Sequence, residues 1–210
     1  MPKPAFLYFD LGNVLLSFCN ERRGRQMAAA AGAPLALVRQ VLFQADGATS
    51  ALWRFERGDL DAAALYEQFC QHTGVRPDMA ALYEAGCNMF DEIPATVALV
   101  GRLAKAGNRL GVLSNTNPVD WQFLTAGRFP FLNEHFEHAV LSFEAKAMKP
   151  ELAIFKHAVE RAGVTASEVF FVDDMPVNVA GARAAGLDAV QFTTVAALER
   201  ELRARGVVGV

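Results

Sequence analysis

No apolar run in this 210-residue sequence approaches the ~18 residues needed to cross a bilayer, and its first residues carry no signal-peptide pattern. The expectation is therefore a cytoplasmic protein with no membrane partner. Charge of one sign is also scarce. Lys and Arg number 20 against 23 Asp and Glu, and no long basic run stands out, so nucleic acid has no electrostatic footprint here. Cysteine occurs three times, as Cys19, Cys70 and Cys87, an odd number in apolar helical contexts and outside metal or redox spacings. That predicts reduced core residues and excludes a disulfide framework. Internal repeats and low-complexity segments are absent as well. What is present is a hydrophobic content of 52%, enough to give one large domain, or a domain with an insertion, a substantial core.

The stretch Ala5 to Leu16, AFLYFDLGNVLL, reads as a buried strand that delivers one carboxylate to a tight turn. Phe6 to Phe9 form the short aromatic run of a strand covered on both faces, and the run stops at Asp10. Gly12 and Asn13 then let the backbone turn back. An ordinary strand end closed by an Asx turn accounts for the same residues.

From about Asn20 to Phe90 the pattern is helical, with stripes at Leu35, Val38 and Leu42, at Ala62, Leu65 and Phe69, and at Met79, Leu82, Gly86 and Met89. Pro34 and Pro77 suit first helical turns, and Gly32, Gly58 and Gly74 suit helix ends. Beyond Asp91, helices expected from Pro94, Pro118 and Glu151, and one ending at Ala185, alternate with strands at Arg109 to Leu113, Ala139 to Leu141, Val169 to Val172 and Ala189 to Phe192. Strands alternating with helices imply parallel strands joined by right-handed crossovers. The predicted architecture is α/β, a doubly wound parallel sheet from residues 1–16 and 93–210, with residues 17–92 inserted as a helical cap.

Three later strand ends carry polar residues suited to chemistry. The first runs into Ser114-Asn115-Thr116-Asn117, a turn that offers a hydroxyl and backbone N–H groups to an anion, or simply caps the next helix. Lys149, held before Pro150 at a helix entrance, opposes the helix dipole there, which suggests an anionic partner; Lys146 has no such fixed position and reads as a solvated charge. The last strand ends in Asp173-Asp174, two adjacent carboxylates that a bound cation makes tolerable, unless they form a plain surface turn.

In order along the chain, FDLGNVL, LSNTN, MKPELAIF and FFVDDMPVNVAGARAAG resemble the four motifs of the haloacid dehalogenase superfamily of phosphohydrolases, whose core is Rossmann-like. The DLGNV spelling, LSNTN, and Glu56-Arg57-Gly58 in the cap look most like the branch containing bacterial α-D-glucose-1-phosphate phosphatases. The resemblance implies a magnesium-dependent phosphatase acting on a small-molecule phosphate ester, with Asp10 as the nucleophile that forms an aspartyl-phosphate. It further implies Mg2+ held by the Asp10 and Asp174 carboxylates and the Gly12 carbonyl, with Asp173 and Asn178 orienting its waters. Ser114 and the Asn115 amide would hold phosphoryl oxygens, and Lys149 would neutralise charge between nucleophile and phosphate. Trp53, Arg54, Glu56 and Arg57 are the cap candidates for substrate choice, although a charged helix face is commonly just solvated.

One departure changes the expectation. Most members of the superfamily carry a second Asp two residues after the nucleophile, where it protonates the leaving oxygen and later activates water; here that residue is Gly12. A general acid is typically worth ~10²–10⁴ in rate. Its loss should favour leaving groups that carry charge well, such as the anomeric oxygen of a sugar 1-phosphate, unless a cap carboxylate such as Glu56 or a water replaces it. It also keeps two other readings open: a 2-haloacid dehalogenase, whose halide leaves without a proton, and a phosphate-binding regulatory module that does no chemistry.

Overall fold

The computed structural model describes residues 3–43 and 50–210; residues 1–2 of the expected core and 44–49 of the expected cap lie outside the described residues. In chain order the elements are β1 (Phe6–Phe9), β2 (Leu16–Phe18), α1 (Asn20–Ala31), α2 (Leu35–Phe43), α3 (Ala51–Arg57), α4 (Ala62–Thr73), α5 (Met79–Cys87) and β3 (Phe90–Glu92). Then follow α6 (Pro94–Lys105), β4 (Leu110–Ser114), α7 (Pro118–Phe123), α8 (Phe131–Glu134), β5 (His138–Leu141), α9 (Ser142–Ala145), α10 (Leu152–Ala162), β6 (Val169–Asp173), α11 (Pro176–Ala184), β7 (Asp188–Gln191) and α12 (Val195–Ala204).

Five strands form one sheet in the order β5-β4-β1-β6-β7, each neighbouring pair parallel. The fold is α/β, as the alternation predicted. β1 sits in the middle because its side chains serve both faces. Leu7 and Phe9 pack with Leu99 and Leu103 of α6 and Leu198 and Leu202 of α12. Phe6 and Tyr8 pack on the other side with Ile154 and Phe155 of α10 and Val179 of α11. Burying each such side chain contributes about 1.5–3 kcal/mol. The chain leaves β1 for β4 and β5 on one side, then crosses to β6 and β7 on the other. The switch in winding direction therefore opens a crevice at the carboxyl end of β1, where α/β sheets bind their ligands.

The helices α1 to α5 enclose clusters of their own, Met27, Val38, Leu42, Phe69 and Leu82 in one, Phe55, Leu60 and Leu65 in another. Gly32, Gly58 and Gly74 end α1, α3 and α4 in left-handed backbone conformations, as their positions predicted. Several details differ from expectation. Met79 is 42% exposed, although it belongs to the apolar stripe by spacing. Pro77 precedes the N-cap Asp78, whose side chain accepts from the Ala81 N–H, so the proline lies outside the first turn. Cys19 is exposed and caps α1, whereas Cys70 and Cys87 are buried; all three are free thiols. Strands β2 and β3, unforeseen in the sequence, pair antiparallel as Leu16 with Glu92 and Phe18 with Phe90, and carry the chain out to the helices and back. At three residues each they are too short to show a pattern. No helix among the described residues is long and apolar enough to cross a membrane.

Candidate active site

Asp10 follows β1 directly, and its backbone N–H donates to Val172 O of β6 at 2.9 Å, so the sheet itself sets the carboxylate at the crevice. Lys149 Nζ lies 2.7 Å from Asp10 Oδ1 and 2.6 Å from Asp173 Oδ2, and donates to Leu113 O at 3.0 Å. An ammonium has three donors, and all three are used. Asp173 is fully buried and accepts in addition from the Met175 N–H at 2.8 Å and from Asn178 Nδ2 at 3.0 and 3.1 Å. Asp173 and Asn178 therefore hold the ammonium in place. Burial, with Asp173 adding to it, pushes the Asp10 carboxyl up to about 7, against the pull of Lys149. Burial works to lower Lys149, but Asp10 and Asp173 outweigh it and keep the ammonium above its ordinary value, hence charged.

Asp10, Asp173 and Asp174 offer ligand oxygens that all lie within 4.8 Å of one another. With only Lys149 to balance them, these three carboxylates leave an excess of negative charge. The oxygens left over after the protein's own bonds are counted are telling. Asp10 spends Oδ1 on the Leu11 N–H and on Lys149, and Asp174 spends Oδ2 on Asn13 Nδ2 at 3.0 Å. Each keeps a second oxygen, and the Gly12 carbonyl accepts no backbone hydrogen bond among the described residues. Hard oxygens of this kind suit magnesium, so the donor set fits the ion the motifs imply.

At the end of β4 the helix cap goes to Asn117, whose side chain accepts from the Asp120 N–H at 2.9 Å, and Ser114 is left at the pocket. The Asn115 side chain is already committed: Nδ2 donates to Lys149 O at 3.0 Å and Oδ1 accepts from the Lys149 N–H at 2.8 Å. This pair of bonds pins the Lys149 backbone, which leaves the Asn115 backbone amide as the group to offer an anion.

These groups line a pocket of about 320 Å³ roofed by the helices. Of the four cap candidates only Glu56 lines it. Trp53 lies under the Arg57 guanidinium, 5.4 Å from it, and Arg57 pairs with Glu151, while Arg54 is exposed. Lys146, expected in solvent, is exposed but donates to Gly58 O at the end of α3. Arg23 of α1 is buried at the same pocket, with Nη2 2.5 Å from Asp120 Oδ2 and Nε donating to Gly86 O at 3.3 Å. Asp120 also accepts from Asn117 Nδ2 at 2.7 Å and from Cys87 Sγ at 3.2 Å. Burial pushes the Glu56 carboxyl up to about 7; Arg23 opposes this and Asp120 adds to it.

Residues 7–186 match the family described as haloacid dehalogenase-like hydrolase. The chain belongs to that family. Glyceraldehyde 3-phosphate phosphatase of Pyrococcus abyssi is 31% identical over 103 residues, which span 48% of this chain and 42% of that protein, less than half of its length. A HAD family enzyme of Bacteroides thetaiotaomicron, solved in complex with magnesium and inorganic phosphate, superposes with a TM-score of 0.78 at 24% identity, over 90% of this chain and 94% of that one. L-2-haloacid dehalogenase of Xanthobacter autotrophicus superposes at 0.63 with 24% identity, over 96% and 83%. At such identities these structures share the fold.

As a haloacid dehalogenase-like hydrolase the chain brings Asp10, Gly12, Ser114, Asn115, Lys149, Asp174 and Asn178 to one pocket, with Asp173 directly behind Lys149. Three participants escaped sequence reasoning: Asn13, which holds Asp174, and the pair Arg23 and Asp120. Arg23 carries a signal of its own, a charge four residues before Met27 on the buried face of α1, which an apolar stripe does not mark.

Proposed function

We propose that this protein is a magnesium-dependent phosphatase that hydrolyses a small phosphate ester, of the sugar-phosphate class, through an aspartyl-phosphate on Asp10. The observation that best supports this is the double contact of Lys149 with Asp10 and Asp173 at 2.7 and 2.6 Å. A cation fixed against the nucleophile lets a phosphate dianion approach a carboxylate that would otherwise repel it. The Asp10 carboxylate attacks phosphorus, and the bond from phosphorus to the leaving oxygen breaks with its electron pair going to that oxygen. The leaving oxygen takes up a proton to become the alcohol; water then loses a proton as it attacks phosphorus, and Asp10 leaves as a carboxylate with inorganic phosphate released. The Ser114 hydroxyl and the Asn115 backbone amide orient the phosphoryl oxygens. Asn178 and Asp173 keep Lys149 aimed at the reacting atoms. Asp10, the Gly12 carbonyl and Asp174 would hold magnesium, which when bound neutralises charge developing on the phosphoryl oxygens.

A pocket of about 320 Å³ suits a ligand of sugar-phosphate size. The curated relative named for glyceraldehyde 3-phosphate, another small phosphate ester, is consistent with that class. A halide departs without a proton and calls for no dication, so the cluster of Asp10, Asp173 and Asp174 favours phosphoryl transfer over dehalogenation. The test is a panel of phosphate esters with purified protein, with magnesium and with EDTA. Magnesium-dependent release of phosphate is expected. Turnover of chloroacetate in EDTA would instead establish a dehalogenase, and tight phosphate binding without turnover of any ester would establish a binding module.

A further inference from the structure

The floor of the pocket has no carboxyl two residues after Asp10, where Gly12 stands, and its roof has one in Glu56. A Cβ on Gly12 would lie 2.9 Å from Phe18 Cε1, so a side chain two residues after Asp10 would have to displace the Phe18 ring. Glu56 lines the same pocket as Asp10, Gly12, Ser114 and Lys149. We propose that Glu56, from the cap, is the general acid and base of this enzyme, giving its proton to the leaving-group oxygen and taking one from the attacking water. The proposal rests on the phosphatase reading above.

The way α3 is fastened supports it. Three consecutive residues at the helix end are each docked on the core. Ser142 Oγ donates to Glu56 O at 2.6 Å, Arg57 pairs with Glu151, and Gly58 accepts from Lys146 while a Cβ on it would come within 2.4 Å of Phe143 O. The anchoring of Glu56 uses its backbone only. Its carboxylate has no hydrogen-bond or ion-pair partner among the described residues, because the nearby cation Arg23 is directed at Asp120 and Gly86. A carboxyl placed in a pocket by such an anchor, and left unsatisfied there, has its chemistry free for a ligand.

The charged groups around it are Arg23 from α1, Asp120 from α7, and Asp10, Lys149 and Asp174 across the pocket. Burial holds Glu56 protonated up to about pH 7, so near neutrality both forms are accessible. In the first step Asp10 Oδ attacks phosphorus, the phosphorus–oxygen bond to the alcohol breaks, and the alcohol oxygen takes the Glu56 proton. In the second, water loses a proton to the Glu56 carboxylate as it attacks phosphorus, and Asp10 is released with inorganic phosphate. Glu56 ends as it began.

Glu56→Gln keeps the backbone anchor and removes the transferable proton. The experiment compares wild type and variant on glucose 6-phosphate, glucose 1-phosphate and p-nitrophenyl phosphate with magnesium. On glucose 6-phosphate, whose alkoxide is a poor leaving group, kcat/KM should fall about 100-fold. On p-nitrophenyl phosphate, whose phenolate departs unaided, it should fall by less than about 5-fold, while slowed hydrolysis of the aspartyl-phosphate produces a burst of one nitrophenolate per enzyme. Wild-type kcat/KM on glucose 6-phosphate should decline above about pH 7, and the variant should lose that decline. Glucose 1-phosphate should gain on glucose 6-phosphate in the variant. Equal losses on all three esters without a burst, or no loss on glucose 6-phosphate, would overturn the role of Glu56 and leave the phosphatase standing. A wild type that hydrolyses no ester would overturn both.

Discussion

The floor and the roof of the pocket are each built around a buried cation between carboxylates, yet they end in opposite states. On the floor Lys149 touches both Asp10 and Asp173, and all its donors are used. On the roof Arg23 touches Asp120, and Glu56, the second carboxylate beside it, has no such bond. The floor therefore fixes charge, and the roof leaves one carboxyl free to exchange a proton near neutrality. The difference follows from what brings the partners together. Asp10 and Asp173 stand at the ends of the paired strands β1 and β6, and Lys149, in the loop before α10, reaches both. Arg23, Glu56 and Asp120 come from three helices, α1, α3 and α7, and meet only where those helices pack together.

Breaking the floor should have the largest effects. Asp10→Asn removes the proposed nucleophile and should lower kcat on any phosphate ester by more than about 10³-fold with the fold intact, as circular dichroism would verify. Lys149→Met leaves Asp10 and Asp173 buried and uncompensated, and should cost about 3–5 kcal/mol in denaturant titrations without metal. Added magnesium should recover part of that loss, because it supplies positive charge beside Asp10; equal losses with and without the ion would contradict the metal assignment.

Perturbing the roof sharpens the contrast with smaller effects. Gly58 has φ +78 and lies against Phe143, so Gly58→Ala should loosen the anchor of α3 and cost about 1–3 kcal/mol, with glucose 6-phosphate turnover falling more than turnover of p-nitrophenyl phosphate. Asp120→Asn removes an anion that raises Glu56 and leaves Arg23 to pull it down. The decline of kcat/KM with pH should then move to lower pH, by up to about one unit. A shift to higher pH would show that another group titrates there. The smallest effect is expected from Gly12→Asp. The new side chain meets the Phe18 ring, which is 39% exposed and has room to swing, so little gain should appear until Glu56 is also replaced by Gln. In that background the added acid should recover part of the lost glucose 6-phosphate activity.

Nearly all of the floor was legible in the sequence. Asp10, Ser114 and Asp174 each follow or end an apolar run, and Lys149 stands before a proline, so each announces itself within a few residues. The sheet then had only to bring the run ends together, which parallel pairing does automatically. The roof was legible only as a set of candidates on a charged helix. Arg23 and Asp120 are 97 positions apart, and no local pattern links them.

The amino-acid sequence by itself determined the α/β fold, the strand that carries Asp10, and the residue types at the crevice, because hydrophobic period and turn chemistry act over short stretches of chain. Tertiary structure decided which polar atoms remain unspent. It gave the Asn115 side chain to the Lys149 backbone and Asp173 to the Lys149 ammonium, and turned Arg57 outward to Glu151 while leaving Glu56 open to the pocket. The reason is that a hydrogen bond needs two partners at one place, and the second partner here comes from a distant part of the chain.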